Sequence, residues 1–403
     1  MPGVPPLSLQ AEAVLDPTIQ FSNPLSEFVQ TPTAILLTGA TGFLGAHLLD
    51  ELLRQTTANI YCLVRSSDTQ FGQERLKKAL QFYSLWQETY CCRIIPVVGD
   101  LSQPLLGLTD QQFYQLAQVV DIIYHNGALV NASYPYSELK AINVLGTQEI
   151  LRFASSSQTK PVHFISSIAV FFSPLYLQAG CIQETDMPEC ESGLKGGYKQ
   201  SKWVAERLVM LAQARGLPAC IYRPERILGH SKTGIIGNFD DLLCSLLQAC
   251  IRLGKFPILE TNVNVVPVDY VSQAIVYLSL QPPSVGRVFH LTNPQPIPWR
   301  NLLSELHALG YPLTELPYQV WFAALKAYTF AHRERTLQSL LLVLLSSASV
   351  LKLKKPEMSC RHTLEGLAGS SIICPAIDSQ LLSTYFSYFQ KSGYIPIPSV
   401  HSL

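Results

Sequence analysis

The sequence is short of charge. Only 14% of its 403 residues are Asp, Glu, Lys or Arg, against about 25% in an average soluble domain. The 29 basic and 29 acidic side chains cancel. A protein that binds nucleic acid by neutralising phosphates carries a basic excess, so that class is excluded. A disordered chain needs high net charge and low hydrophobicity; here 48% of residues are hydrophobic. The 23 glycines and 27 prolines are too few for a collagen-like or low-complexity chain. The ten cysteines form no CxxC and no zinc-ribbon spacing. They read as buried, reduced thiols of a cytoplasmic protein, with no metal site. Residues 1–30 have no Lys or Arg, and so no basic start to a secretory signal. The charge-free stretch 336–351 is shorter than the ~20 residues a spanning helix needs. Ser339, Ser346, Ser347 and Ser349 interrupt it. It reads as a buried or interface helix, and no membrane span is expected.

What remains is a chain with a large core. Residues 1–31 are proline-bearing, weakly periodic and acidic, and read as a linker lying along the surface. From residue 33, short apolar runs alternate with helix-length segments. Strands are expected at 33–38, 59–65, 93–98, 119–125, 161–166 and 218–222. Helices are expected at 42–54, 68–86, 139–155 and 198–214. Strands separated by helices imply an α/β fold with a parallel, doubly wound Rossmann sheet. The domain is placed at 32–295, with segments of a substrate lobe interleaved after about 224. After Tyr311 strands are expected to give way to helices, so 296–403 reads as a smaller, mainly helical C-terminal substrate lobe.

The first strand runs into Thr38-Gly39-Ala40-Thr41-Gly42-Phe43-Leu44-Gly45. Glycines allow close backbone approach and positive φ. A helix opening there offers unpaired N–H groups to a pyrophosphate. The strand-before, helix-after context marks a dinucleotide turn, although its spacing is GxxGxxG. At the end of the second strand stands Arg65, where an NAD enzyme commonly has Asp or Glu. A guanidinium suits a 2′-phosphate, and Arg75 lies one helical stretch further on. The cofactor is therefore read as NADPH. Asp100, followed by Leu101, ends the third strand, where a carboxylate can accept from an adenine amino group.

Tyr198 and Lys202 stand four apart on an expected helix and so share a face. An ammonium beside a phenol favours phenolate and is expected to lower the Tyr198 pKa. Ser167 lies at the end of the fifth strand, where ligands meet an open α/β sheet.

Together these residues resemble the extended short-chain dehydrogenase/reductase superfamily. More closely, the chain is similar to the thioester reductase domains of nonribosomal peptide synthetases, polyketide synthases and carboxylic acid reductases. The segments Tyr124-His125-Asn126-Gly127-Ala128-Leu129-Val130-Asn131 and Gly196-Gly197-Tyr198 through Ser201-Lys202-Trp203-Val204-Ala205-Glu206 carry that likeness. The resemblance implies that Asn126, Gly127 and Ala128 flank the cofactor and that Asn143 supports Lys202 through water. It also implies that Ser167 and Tyr198 hydrogen-bond the substrate carbonyl. The implied reaction is NADPH-dependent reductive release of an acyl or peptidyl thioester from the phosphopantetheine arm of a carrier protein. The product is an aldehyde, or an alcohol after a second reduction. Where the family has Arg-Pro-Gly, this chain reads Arg223-Pro224-Glu225; Glu225 either points to solvent or disturbs the cofactor. His125 reads as a strand-end loop residue. A fatty acyl-CoA reductase, a sugar-nucleotide epimerase and a non-catalytic NADPH sensor are the competing readings.

The neutral sum hides an asymmetry. Residues 1–53 carry five acidic and no basic side chains, whereas 326–361 carry seven basic (Lys326, Arg333, Arg335, Lys352, Lys354, Lys355, Arg361) against two acidic. Because carrier proteins are typically acidic, the basic stretch is the expected docking face.

Overall fold

Hydrophobic runs bounded by polar caps set the element order. The computed structural model describes residues 8–21, 29–189, 191–239, 241–332, 334–346 and 356–398. A short helix, α1 (Leu9–Glu12), precedes β1 (Ala34–Thr38), α2 (Phe43–Gln55), β2 (Asn59–Val64) and α3 (Thr69–Phe82). Asp68 caps α3 by accepting from Phe71 N, and Ser84, at φ 60°, lies just beyond its end, before the expected limit at 86. Next come β3 (Ile94–Val98), α4 (Asp110–Val119) and β4 (Ile122–His125). Thr109 and Gln112 close a reciprocal capping box at the start of α4. The following helix has three parts: α5 (Tyr136–Lys140), a π turn (Ala141–Leu145) and α6 (Gly146–Ser155). Then follow β5 (Val162–Ile165), the two-residue β6 (Cys181–Ile182), α7 (Gly197–Ala214) and β7 (Ala219–Pro224).

Downstream lie β8 (Ile227–Leu228), α8 (Leu242–Leu253), β9 (Lys255–Ile258), β10 (Asn262–Val263), β11 (Val266–Pro267), α9 (Val268–Ser279) and β12 (Val288–Leu291). The chain continues through β13 (Ile297–Pro298), α10 (Trp299–Ala308), β14 (Thr314–Pro317), α11 (Tyr318–His332) and α12 (Arg335–Ser346). It closes with β15 (Glu357–Met358), α13 (Arg361–Leu367) and α14 (Ser379–Lys391).

Contacts divide the chain into two compact units. The first comprises 1–225, 269–291 and 357–373; the second comprises 226–268, 292–356 and 374–403. The first unit is built on a seven-stranded sheet in the order β12-β7-β5-β4-β1-β2-β3, parallel throughout. This is the doubly wound Rossmann sheet. Its order reverses between β1 and β4, the point at which such sheets bind ligands. Strands covered on both faces read as unbroken apolar runs, and every residue of β1 is buried.

The second unit has its own core, in which Phe256 stacks on Trp299 at 4.7 Å among residues such as Trp321, Leu340 and Tyr385. Asp241 caps α8, and Gly254, in the left-handed region at φ 64°, ends it.

Two expectations are corrected here. Strands do not run out after Tyr311: β14 pairs in parallel with β9, and β15 with β6. Pairing with distant partners, not local periodicity, makes these short strands. Nor does the N-terminal segment merely lie on the surface. Leu9, Leu15 and Ile19 are 2% exposed or less and join the first unit's core. Arg215 donates to the Leu15, Asp16 and Ile19 carbonyls at 2.7–3.0 Å. Glu12 pairs with Lys140 at 2.6 Å, and Asp16 with Arg152 at 2.7 Å. The segment's scarce charges are its anchors. The 336–351 stretch is helical as α12 through Ser346, with Leu337, Leu340 and Leu344 buried and Leu342 exposed. Residues 347–351 lie outside the described residues, as do Arg333, Lys352, Lys354 and Lys355 of the basic stretch.

Candidate active site

Parallel register gathers the expected residues at one edge of the sheet. Thr38 lies opposite His125, His125 opposite Phe164, and Ile165 opposite Tyr222. The segments just past these residues, which hold Gly39, Asn126 and Ser167, therefore leave the sheet at its carboxyl edge.

The glycine turn is shaped by close approach. Gly39 has φ 73°, and a Cβ there would lie 2.8 Å from Gly127 Cα; a Cβ on Gly45 would lie 1.9 Å from the Gly39 carbonyl oxygen. Gly42 precedes α2 and brings no side-chain cap. The first-turn N–H groups are thus left for an outside acceptor, as a pyrophosphate site requires. Thr41 and Phe43 are half-buried, while Leu44 is buried. Phe43 packs on Tyr83 at 5.4 Å. Asn126 Nδ2 donates to the Gly39 carbonyl at 3.4 Å. Leu101 Cδ1 fills the space beside Gly127 that a Cβ would occupy, and Ala128 is half-exposed in the same loop. Thr38 turns inward: it is fully buried, and its hydroxyl meets His125 Nδ1 and the Gly127 N–H.

Arg65 and Arg75 are both exposed, and the Arg75 guanidinium donates to the Arg65 carbonyl, which brings the two side chains to the end of β2. Asp100 Oδ1 accepts from the N–H and hydroxyl of Ser102; it shapes its own turn and keeps Oδ2 for another donor.

Tyr198, Lys202 and Glu206 form one stripe along α7. Lys202 is 4% exposed. Its Nζ donates to the Ile165 carbonyl at 2.5 Å and stands 4.4 Å above the Phe164 ring. Burial pushes this lysine down to about 8, and the nearby Glu206 carboxylate opposes the shift. The expected lowering of the phenol does not occur: Tyr198 keeps part of its surface, but burial of its hydroxyl pushes it up to about 12. Desolvation outweighs any help from the ammonium, which is held by a main-chain carbonyl. A phenol so raised stays protonated at neutral pH, as an acid must. Ser167 caps the turn after β5, accepting from Ala169 N at 3.2 Å, so its hydroxyl hydrogen is left to donate. A cleft of 610 Å³, lined by Ser133, Tyr134, Gly197 and Gln200 among others, opens beside the start of α7.

Asn143 lies in the π turn, a device common at functional sites. It accepts from Leu129 N at 2.7 Å and donates to the Leu129 carbonyl at 3.0 Å and Ser201 Oγ at 2.9 Å. It also reaches α7 through Ser201, the residue before Lys202, whose hydroxyl donates to the Tyr198 carbonyl at 2.9 Å.

Several residues were not anticipated. His125 ends β4, as the expected strand at 119–125 has it, but is 2% exposed and not part of a loop. Glu206 and Arg223 form a buried pair at 2.7 Å. Their place in the quoted segments was the only signal, and sequence spacing cannot show that residues 17 apart meet. Glu225 is half-buried, with its N–H donating to Leu291 O at 3.0 Å.

A family of NAD-binding domains described as male sterility protein matches residues 37–275. The terminal R domain from the myxalamid PKS-NRPS biosynthetic pathway superposes with a TM-score of 0.91 at 44% identity, covering 97% of this chain and 99% of that one. This chain belongs to the male sterility protein family. Among its relatives, a linear gramicidin synthase of Brevibacillus parabrevis is 42% identical over 96% of this chain, and an L-2-aminoadipate reductase of Eremothecium gossypii 34% over 91%. The chain spans only 8% and 28% of those two proteins. As a family member with this turn, it binds a nicotinamide dinucleotide. No helix among the described residues is long and apolar enough to cross a membrane.

Proposed function

We propose that the chain is an NADPH-dependent thioester reductase that releases an acyl or peptidyl chain from the phosphopantetheine arm of a carrier protein. The observation that carries this reading is the bond from Lys202, one turn along α7 from Tyr198, to the Ile165 carbonyl, two residues before Ser167 and at the sheet edge where the glycine turn also leaves β1. The named R-domain and aminoadipate reductase relatives support it.

The cradle fits a dinucleotide. Gly39, Gly42 and Gly45 let the turn fold tightly against Gly127 and the start of α2, α2 presents uncapped N–H groups to the pyrophosphate, and Asn126–Ala128 flank it. Arg65 and Arg75 suit the 2′-phosphate that distinguishes NADPH from NADH. When bound, the dihydronicotinamide supplies a hydride. Ser167 and Tyr198 donate hydrogen bonds to the thioester oxygen as negative charge develops, usually the largest contribution to rate. Tyr198 then gives its proton to that oxygen. Lys202, charged below about pH 8, steadies the phenolate left behind. The resulting hemithioacetal expels the thiol and leaves an aldehyde; a second reduction gives an alcohol.

The test is NADPH consumption with acyl-carrier, acyl-CoA and UDP-sugar substrates side by side. Acyl-carrier turnover is expected to dominate, and dominance of either other substrate overturns the assignment. Tyr198→Phe should lower turnover by about 10²- to 10⁴-fold with NADPH affinity retained; full turnover in that variant would refute the mechanism.

A further inference from the structure

We propose that His125 is a positioning residue that joins the cofactor turn to the Asn143 segment through one directed chain of hydrogen bonds, setting both halves of the site together. The inference rests on the reading that the cofactor lies across Gly39–Gly45 and reacts beside Tyr198.

The direction of every bond in the chain follows from the partners. Thr147 Oγ1 donates to the Asn143 carbonyl at 2.7 Å. Its single proton is then used, so its contact with His125 Nε2 at 3.0 Å is one in which the imidazole N–H donates. A neutral imidazole protonated at Nε2 accepts at Nδ1. Thr38 Oγ1, 2.9 Å away, is therefore the donor there. The same oxygen accepts from the Gly127 N–H at 2.8 Å. The chain runs Gly127 N–H to Thr38 to His125 to Thr147 to the Asn143 carbonyl, with no donor or acceptor duplicated.

The ends of the chain give it meaning. Thr38 precedes Gly39, whose Cβ, were there one, would lie 2.8 Å from Gly127 Cα. Asn143 fixes Leu129 and, through Ser201, the turn of α7 that carries Tyr198 and Lys202. His125, Thr38 and Thr147 are each 2% exposed or less, so water cannot replace a lost partner. Burial and the Lys202 charge push His125 down to about 3, which keeps the ring neutral and the chain's direction fixed.

The two ring nitrogens can be tested separately. His125→Asn places an amide where Nδ1 stands and keeps the Thr38 half; His125→Gln reaches the Nε2 position and keeps the Thr147 half. The purified chain is assayed for NADPH binding and for thioester turnover at saturating NADPH. His125→Asn should bind NADPH within about twofold of the parent but lose about 10- to 100-fold in kcat, since misplacement of reacting groups carries that cost. His125→Gln should bind NADPH about tenfold more weakly and keep kcat within about threefold. Thr147→Val should behave like His125→Asn, and Thr147→Ser, which restores the hydroxyl, should recover kcat. The Thr147 pair decides the matter if either histidine variant does not fold. Equal losses of affinity and kcat in every variant, or failure of Thr147→Ser to recover kcat, overturn the proposal. A parent that binds NADPH but reduces no thioester instead overturns the functional reading, and the NADPH affinity of His125→Gln still decides the Thr38 half.

Discussion

Glu206→Gln is the most informative single perturbation of this fold. Glu206 and Arg223 are both 0% exposed. Arg223 Nη2 and Nε lie 2.7 and 3.0 Å from Glu206 Oε1. At a charge separation of about 4 Å and an effective dielectric of about 20, the attraction is about 4 kcal/mol. Breaking such a pair from one side costs about 3–5 kcal/mol, because the remaining charge stays buried. Glutamine still offers one oxygen, and Arg223 keeps the Asp186 carbonyl at 3.1 Å and His290 Nε2 at 3.1 Å. The expected loss is therefore at the lower end, about 3 kcal/mol. Urea unfolding of the cofactor-free protein reads it as a lower midpoint at unchanged slope. Replacing both partners, as Glu206→Leu with Arg223→Met, should return most of the loss, since a buried pair exchanged for packed apolar groups is near neutral. A Gln variant within about 1 kcal/mol of the parent, well below the cost of a broken buried pair, would refute the reasoning. So would a double variant less stable than either single one.

Three further outcomes follow from the site. Activity should fall as pH rises through about 8, where Lys202 loses its proton; Lys202→Arg should flatten this limb of the pH–rate profile, and Glu206→Gln should move it to lower pH. Arg65→Ala should cut the preference for NADPH over NADH by about 10- to 100-fold, the worth of one or two charge-assisted hydrogen bonds; an unchanged ratio of kcat/KM values places the 2′-phosphate elsewhere. Gly45→Ala should abolish NADPH binding, because its Cβ would stand 1.9 Å from the Gly39 carbonyl oxygen, and a calorimetric titration showing normal affinity would contradict the packing of the turn.

The local pattern was legible where the physics is local. Residues 33–38, 59–65 and 161–166 announce buried strands, and each lies within one or two residues of its observed limits. The glycine turn announces itself because only glycine tolerates the approach of the Gly39 carbonyl to α2. Tyr198 and Lys202 share a helix face because helical periodicity makes them share it.

What local pattern does not carry is pairing across distance. The strand at 314–317 exists because it meets 255–258, and the N-terminal segment is held because Arg215 reaches its carbonyls some 200 residues away. The same holds for protonation. Sequence spacing alone predicts a Tyr198 phenol lowered by Lys202, whereas burial raises it. The sequence by itself determined the individual strands at 33–38, 59–65 and 161–166, the glycine turn and the shared helix face of Tyr198 and Lys202, since each depends on residues a few positions apart. Only the tertiary structure decided which charges are desolvated, which partners face them, and how His125 and Thr147 link the turn to Asn143. Dielectric environment and hydrogen-bond direction are properties of what surrounds a group in space, and no spacing along the chain encodes them.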